Sequence, residues 1–574
     1  MAAWRTAPYA VGKPLFYQRK EKSMIKSRTD KEKEVSYYVS LGYTQKQAVR
    51  IADLTFARPY DRHERKLNLG FAAGGGIMRM KSMRASVQAE ALEEASLEVE
   101  CLAAPMRSPA PQMAMGFVPA EEAETGFPGV CIEDVRSDEY EHIEEVGVQS
   151  TAASPTSTFR TTFNTASAAI LLGNFRNGTR FSHDMIRTEE LLNFVPYALN
   201  EAKDGLFEVT REMTRQGDKG FLFLGIKAKD AIPARKNIVL LIDTSGSMSD
   251  KVLQIRATLA TVFAGLNEND VFSVVTYSSE DHTFIDGMKV NKKHDIDFVL
   301  DQLETMYIEG CTDGSKGIET AYTIVEENFI EDGINRVILV TDGDLNFGVT
   351  DKGGLIDLIE EKRKTGAYLS CIGTGLYNLR DDKLEALAKN GNGNYFVVND
   401  IADVKEILYK KYASLVFPVA RNVKAQVEFN PSAVKGYRLI GFENRRLTHE
   451  QFRDDKAASE PFGSGAYCVA CYELFFSDIA NVKPLKYRTE SAPSSDELGT
   501  LTVRYQNIQS DDYNEQEFIL ENSEASSDNI AKAQKCAELA EILRGDDSEG
   551  KKRKAIREYL RLFGGTEYAE SFEE

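Results

Sequence analysis

The chain has 574 residues, a formal net charge of −19 and an apolar fraction of 42%. That length holds about three or four domains of ordinary size, and the acidity excludes a simple nucleic-acid binder as a description of the whole. No run approaches the roughly 18 apolar residues of a membrane span. The seven cysteines, sparse and odd in number, exclude a disulfide framework.

The charge is unevenly distributed. Residues 1–89 carry 18 Lys and Arg against 7 Asp and Glu, whereas residues 90–150 carry 2 against 15. Residues 1–69 read as a basic N-terminal arm. Within it, Gly42 ends one helix, and Thr44 with Gln47 matches the capping box of a second, giving a short helical hairpin. The first residues lack the apolar core of a signal peptide and there is no lipid-attachment cysteine, so the chain as written reads as cytoplasmic. Residues 70–150 are a low-complexity acidic linker of Gly, Met, Ala-Pro and Glu, expected to be mostly disordered like the N-terminal region as a whole, with one helical stretch near 84–101.

Residues 151–233 form an N-terminal flanking region. Helical patterns at about 165–175 and 187–194 precede strands that begin at Phe207 and Phe221. Residues 234–412 alternate strand and helix. The continuous apolar run 237–242 reads as a fully buried parallel strand. Strands at 271–277, 336–340 and 368–372 follow, with helices near 251–266, 315–328, 353–365 and 382–389 between them. The alternation predicts an α/β domain with a doubly wound, mostly parallel sheet. Residues 413–525 switch to period-two alternation, at 423–429, 467–474 and 501–505, which predicts antiparallel strands. Residues 526–574 close with helices at about 527–544 and 550–562. The late strands make no complete sheet of their own. Strands before and after the α/β domain are therefore expected to pair, leaving it inserted in a β-rich flanking domain. Cys468 and Cys471 have CxxC spacing but lie in a strand, where residues three apart face opposite ways, so they read as packed core.

The first α/β strand ends in Asp243-x-Ser245-x-Ser247. Ligand sites of doubly wound sheets lie beyond the carboxyl ends of the strands. One carboxylate and two hydroxyls there are hard oxygen donors, suited to Mg²⁺ or Mn²⁺ rather than zinc. A second loop offers Thr312 just before a helix, and a third offers Asp342 in Thr-Asp-Gly-Asp344 directly after a strand.

Asp243, Ser245, Ser247, Thr312 and Asp342 together resemble the complete metal-ion-dependent adhesion site of von Willebrand factor type A domains. The wider sequence is similar to a group of bacterial, largely uncharacterised von Willebrand type A proteins with shared flanks. Ile186-Arg-Thr-Glu-Glu-Leu-Leu-Asn-Phe before the domain and Tyr437-Arg-Leu-Ile-Gly-Phe-Glu-Asn-Arg after it carry that similarity, over roughly residues 135–570. The resemblance implies Mg²⁺- or Mn²⁺-dependent protein binding: Ser245 and Ser247 hold the cation directly, Asp243, Asp342 and Thr312 directly or through water, and an Asp or Glu carboxylate of a partner protein completes the shell. It also implies that the last helix of the domain, about 402–412, couples to the site, and that cell-envelope association is open to such a protein; Asp344 and Asn346 themselves read as orienting their loop rather than binding the ion. Two departures stand out. The group usually begins with an export signal, and it carries a histidine where this chain reads Gly463-Ser-Gly465-Ala466.

Rival readings are a metal-dependent hydrolase or regulatory subunit of an enzyme complex, and a basic arm that binds nucleic acid or anionic membrane. The first lacks a second catalytic carboxylate, since Ser245 occupies the position where dehalogenase-type phosphatases have Asp. The six histidines form no sequence cluster to serve a serine nucleophile. The second rests on the arm alone, where no nucleic-acid-binding module is recognisable. No specific nucleic acid and no catalytic residue is therefore expected. Oligomeric state leaves no signal.

Overall fold

The computed structural model describes residues 31–56, 140 and 142–572, apart from 180–181, 232–233, 279–280, 292–294, 306–313, 345–351, 377–378, 456–458, 478–496, 509, 511 and 526. The helix expected near 84–101 and nearly all of the acidic linker lie outside the described residues.

The central sheet has six strands in the order Tyr395–Val398, Tyr368–Thr374, Ile334–Thr341, Lys236–Asp243, Val271–Tyr277, Asp281–Lys289. The first five are mutually parallel and the last is antiparallel. Every residue of Lys236–Asp243 is buried, as expected of a strand covered by helices on both faces. From this strand the chain goes first to the Val271–Tyr277 side and later to the Ile334–Thr341 side. The strand order therefore reverses between Lys236–Asp243 and Ile334–Thr341, and at that reversal a doubly wound sheet opens a crevice at its carboxyl edge.

The edge strand Asp281–Lys289 was not legible in the sequence. Only one of its nine residues is buried, so it has no apolar run to announce it. The other edge, Tyr395–Val398, has four residues, too few to show a period. The last helix expected at 402–412 is broken into a turn at Ile401–Asp403, a π-helix at Val404–Tyr409 and a short helix at Tyr412–Val416.

Two antiparallel sheets flank this domain. One runs Gln149–Ser150, Gly436–Ile440, Tyr467–Phe475, Lys219–Ala228, Phe207–Gln216. The other runs Arg446–Leu447, Thr156–Arg160, Pro418–Phe429, Glu497–Asn507, Tyr513–Glu521. Each mixes strands from before and after the parallel sheet, so the α/β domain is inserted in a β-rich flank. Aromatic rings join the two sheets: Phe429 stacks on Tyr437 with centroids 4.6 Å apart, and Phe207 meets Tyr505 at 5.3 Å. Cys468 and Cys471 are buried within this packing.

The C-terminal helices Asp528–Arg544 and Glu549–Arg561 cover the flank. Tyr559 Oη donates to the Leu191 carbonyl at 2.8 Å, and Tyr568 Oη donates to Asp403 at the end of the inserted domain at 2.8 Å. The N-terminal helices, 31–40 and Gln45–Phe56, dock on the inserted domain. Gly42 between them has φ +92. Thr44 and Gln47 make the reciprocal capping contacts, Tyr43 Oη donates to the Ala260 carbonyl at 2.8 Å, and Glu34 pairs with Lys405 at 2.6 Å.

Insert and flank are also tied by buried charges. Arg187 pairs with Asp381 at 2.6 Å and with Glu190 at 2.8 Å. Arg445 pairs with Glu460 at 2.8 Å and also with Glu385. A polar cleft of about 530 Å³ opens beside this network, lined in part by Arg160, Lys389 and Arg445. Among the described residues no helix is long and apolar enough to cross a membrane.

Candidate functional site

Asp243 is the last residue of the central strand, and Asp342 follows the strand beside it. In the parallel register Ile242 pairs with Val340. The two carboxylates thus emerge side by side at the crevice where the strand order reverses. Both are fully buried.

The loop after Asp243 folds back on it. The Ser245 amide donates to Asp243 Oδ1 at 2.9 Å, and a 3-10 turn at Gly246–Met248 brings Ser247 Oγ to 3.2 Å from Ser245 Oγ. Asp243 Oδ2 accepts from Thr341 Oγ1 at 2.7 Å and from Tyr277 Oη at 3.3 Å. The loop after Asp342 is held likewise. Gly343, at φ +84, donates its amide to Thr341 Oγ1 at 2.9 Å, and the Asp344 amide donates to Asp342 Oδ1 at 3.1 Å. Glycine suits that left-handed position because it has no Cβ to strain. The Asp344 carboxylate lies 3.8 Å from Arg380, so Asp344 braces the loop.

Of the five residues singled out in the sequence, Asp243, Ser245, Ser247 and Asp342 therefore converge. Thr312 lies outside the described residues, as do its neighbour Cys311 and the loop residue Asn346. The helix that follows Thr312, Gly314–Glu327, packs against the site: a Cβ on Gly317 would stand 2.8 Å from Tyr277 Cβ, and Tyr277 touches Asp243.

The electrostatics are unbalanced. Burial pushes the Asp243 carboxyl up to about 6; its hydrogen bonds oppose the rise and Asp342 adds to it. The hydrogen-bond donors to Asp243 are neutral, and no ion pair to it occurs among the described residues. Among the described residues Asp342 has one cationic partner, the Lys251 ammonium at 2.9 Å. Two buried carboxylates against one ammonium leave a formal negative charge beside two hydroxyls, a donor set that fits a hard divalent cation. Among the described residues no group of three or more His, Cys, Asp and Glu gathers as a metal site.

Lys251, Tyr277 and Thr341 were not singled out in the sequence. Tyr277 and Thr341 end strands adjacent to Asp243, so the rule that sites lie at strand carboxyl ends was a usable signal for them. Lys251 had none.

Three family models match the chain: "von Willebrand factor" over residues 134–217, "von Willebrand factor type A domain" over 237–410, and "Uncharacterized protein YfbK, C-terminal" over 414–563. The uncharacterized protein YfbK of Escherichia coli (strain K12) is 31% identical over 388 residues, which cover 64% of this chain and 67% of that protein. The chain belongs to the YfbK family of von Willebrand factor type A proteins. The match to YfbK's C-terminal region covers the late strands and the C-terminal helices. More distantly, inter-alpha-trypsin inhibitor heavy chain H2 of Sus scrofa is 24% identical over 244 residues, 40% of this chain and 26% of that protein. Among solved structures, a von Willebrand factor type A protein from Catenulispora acidiphila is similar at 15% identity with a TM-score of 0.37, over 64% of this chain and 88% of that one.

Proposed function

We propose that this YfbK-family chain is a non-catalytic protein-binding module in which a divalent cation, Mg²⁺ or Mn²⁺, joins the inserted domain to a carboxylate of a partner protein. The family's domain is a typical protein-interaction module. The observation that carries the cation dependence is the fully buried Asp243 with neutral donors around it, beside Ser245 and Ser247. An uncompensated buried carboxylate is costly, and a bound cation relieves that cost.

In this reading Ser245 and Ser247 present hydroxyl oxygens, and Asp243 and Asp342 present carboxylates. Thr312 is assigned to the same set by its place in the motif. The cation supplies an electrophilic position for an incoming Asp or Glu. The chain's own residues orient the donors: Thr341 and Tyr277 hold Asp243, and Gly343 and Asp344 shape the loop that carries Asp342.

The test is a pull-down from a lysate of the source cell. Bait is the full chain or Asp243→Ala, in Mg²⁺ and in chelator, with bound proteins identified by mass spectrometry. A partner is expected with wild type in Mg²⁺ and in neither control. Partners retained equally in all conditions overturn the reading.

A further inference from the structure

Lys251 stands between Ser247 and the helix Val252–Ala264. Its Nζ donates to the Ser247 carbonyl at 2.8 Å and to Asp342 Oδ2 at 2.9 Å, and the residue is 7% exposed. The side chain passes over Gly375, at φ +107, where a Cβ would stand 2.4 Å from Lys251 Cε. Any larger residue at 375 would displace the ammonium. The central strand's loop, the Asp342 loop and the Gly375 turn thus fix one positive charge against a carboxylate that the proposed cation needs.

We infer that Lys251 is a built-in counter-ion that weakens divalent-cation binding at this site, so that firm retention of the cation requires the partner's carboxylate as well. The inference rests on the proposed function and names a regulation of the same site. A divalent ion that shares Asp342 with a fixed ammonium meets like-charge repulsion at short range in a buried setting, where screening is weak. The ammonium also offsets one of the two carboxylates. A bound divalent ion therefore keeps a net positive charge to present to an incoming carboxylate. Weak binding of the cation alone and strong binding with the partner is positive linkage between the two ligands. Without Lys251, the two carboxylates would hold the cation more firmly and present less charge outward.

The test titrates Mn²⁺ into the full-length chain by calorimetry, without partner, for wild type, Lys251→Met, Lys251→Gln and Lys251→Arg. Lys251→Gln keeps a donor for the Ser247 carbonyl if the methionine variant folds poorly. Both neutral variants are expected to bind Mn²⁺ at least tenfold more tightly than wild type, and Lys251→Arg to stay within about threefold. In chelator the neutral variants are expected to melt at lower temperature than wild type, with Mn²⁺ restoring the loss. A purely structural lysine would lower the melting temperature without recovery by Mn²⁺ and would leave affinity unchanged or weaker; that result overturns the inference. Asp243-dependent Mn²⁺ binding that is the same in wild type and the neutral variants overturns it alone. No Mn²⁺ binding in any variant overturns it together with the cation reading of the site.

Discussion

At the scale of single residues, the site depends on side chains that do two things at once. Thr341 donates to Asp243 and accepts from the Gly343 amide, so one hydroxyl fixes both aspartate-bearing loops. Thr341→Val keeps the shape and removes both contacts, leaving a buried carboxylate oxygen short of a donor and a buried amide short of an acceptor. The expected loss is about 1–3 kcal/mol of unfolding free energy, read by urea denaturation in chelator. A change below about 0.5 kcal/mol would mean that water replaces the hydroxyl. The motif residues were legible because their chemistry is local: Asp-x-Ser-x-Ser compresses one carboxylate and two hydroxyls into five positions, and a single turn suffices to converge them. Lys251 was not, because an ordinary lysine acquires its role only from what lies across the crevice.

At the scale of elements, the segment that ends the inserted domain is held from both sides. Asp403 accepts from the Asn399 and Asp400 amides at 2.8 and 3.0 Å and from Tyr568 near the C-terminus. Burial pushes its carboxyl up to about 6, above the ordinary aspartate range; Arg176 pulls it down and Asp400 pushes it up. A carboxyl raised in the folded state binds its proton more tightly there than in the unfolded chain. Its contribution to stability is present below about pH 4 and is lost as pH rises through 6, in total about 3 kcal/mol. Asp403→Asn removes that dependence. The difference in unfolding free energy between variant and wild type is expected to move in the variant's favour from pH 4 to pH 7 and to level off above it. A difference independent of pH would show that Asp403 titrates normally. The π-helix beside Asp403 was not legible either, because the apolar spacing of 401–416 suits a plain helix.

At the scale of the whole molecule, insert and flank are joined by charge as well as by chain. Arg445 is 8% exposed, pairs with Glu460 and Glu385, and lies 3.6 and 3.5 Å from Glu189 and Glu190. Arg445→Met would leave several buried carboxylates without their shared cation, at an expected cost of about 3–5 kcal/mol. Arg438 also bridges two carboxylates, Glu473 and Glu541, but its side chain is 29% exposed. Arg438→Ala is expected to cost about 1 kcal/mol or less. Matched denaturation curves of the two variants check the contrast, and equal losses would refute it.

The alternating α/β domain, the order of the candidate-site loops and the change to period-two strands on the far side are all readable along the chain. Each of these is written in neighbouring residues: a run of apolar side chains, a turn, a motif a few positions long. The tertiary structure decided which strands pair across the insertion. It resolved the β-rich flank into two sheets and set Lys251 on Asp342, while the donors to Asp243 among the described residues are neutral. Those outcomes join residues far apart in the chain: strand Thr156–Arg160 pairs with Pro418–Phe429 across the whole inserted domain. The charge balance of the site likewise depends on burial, which no spacing in the sequence encodes.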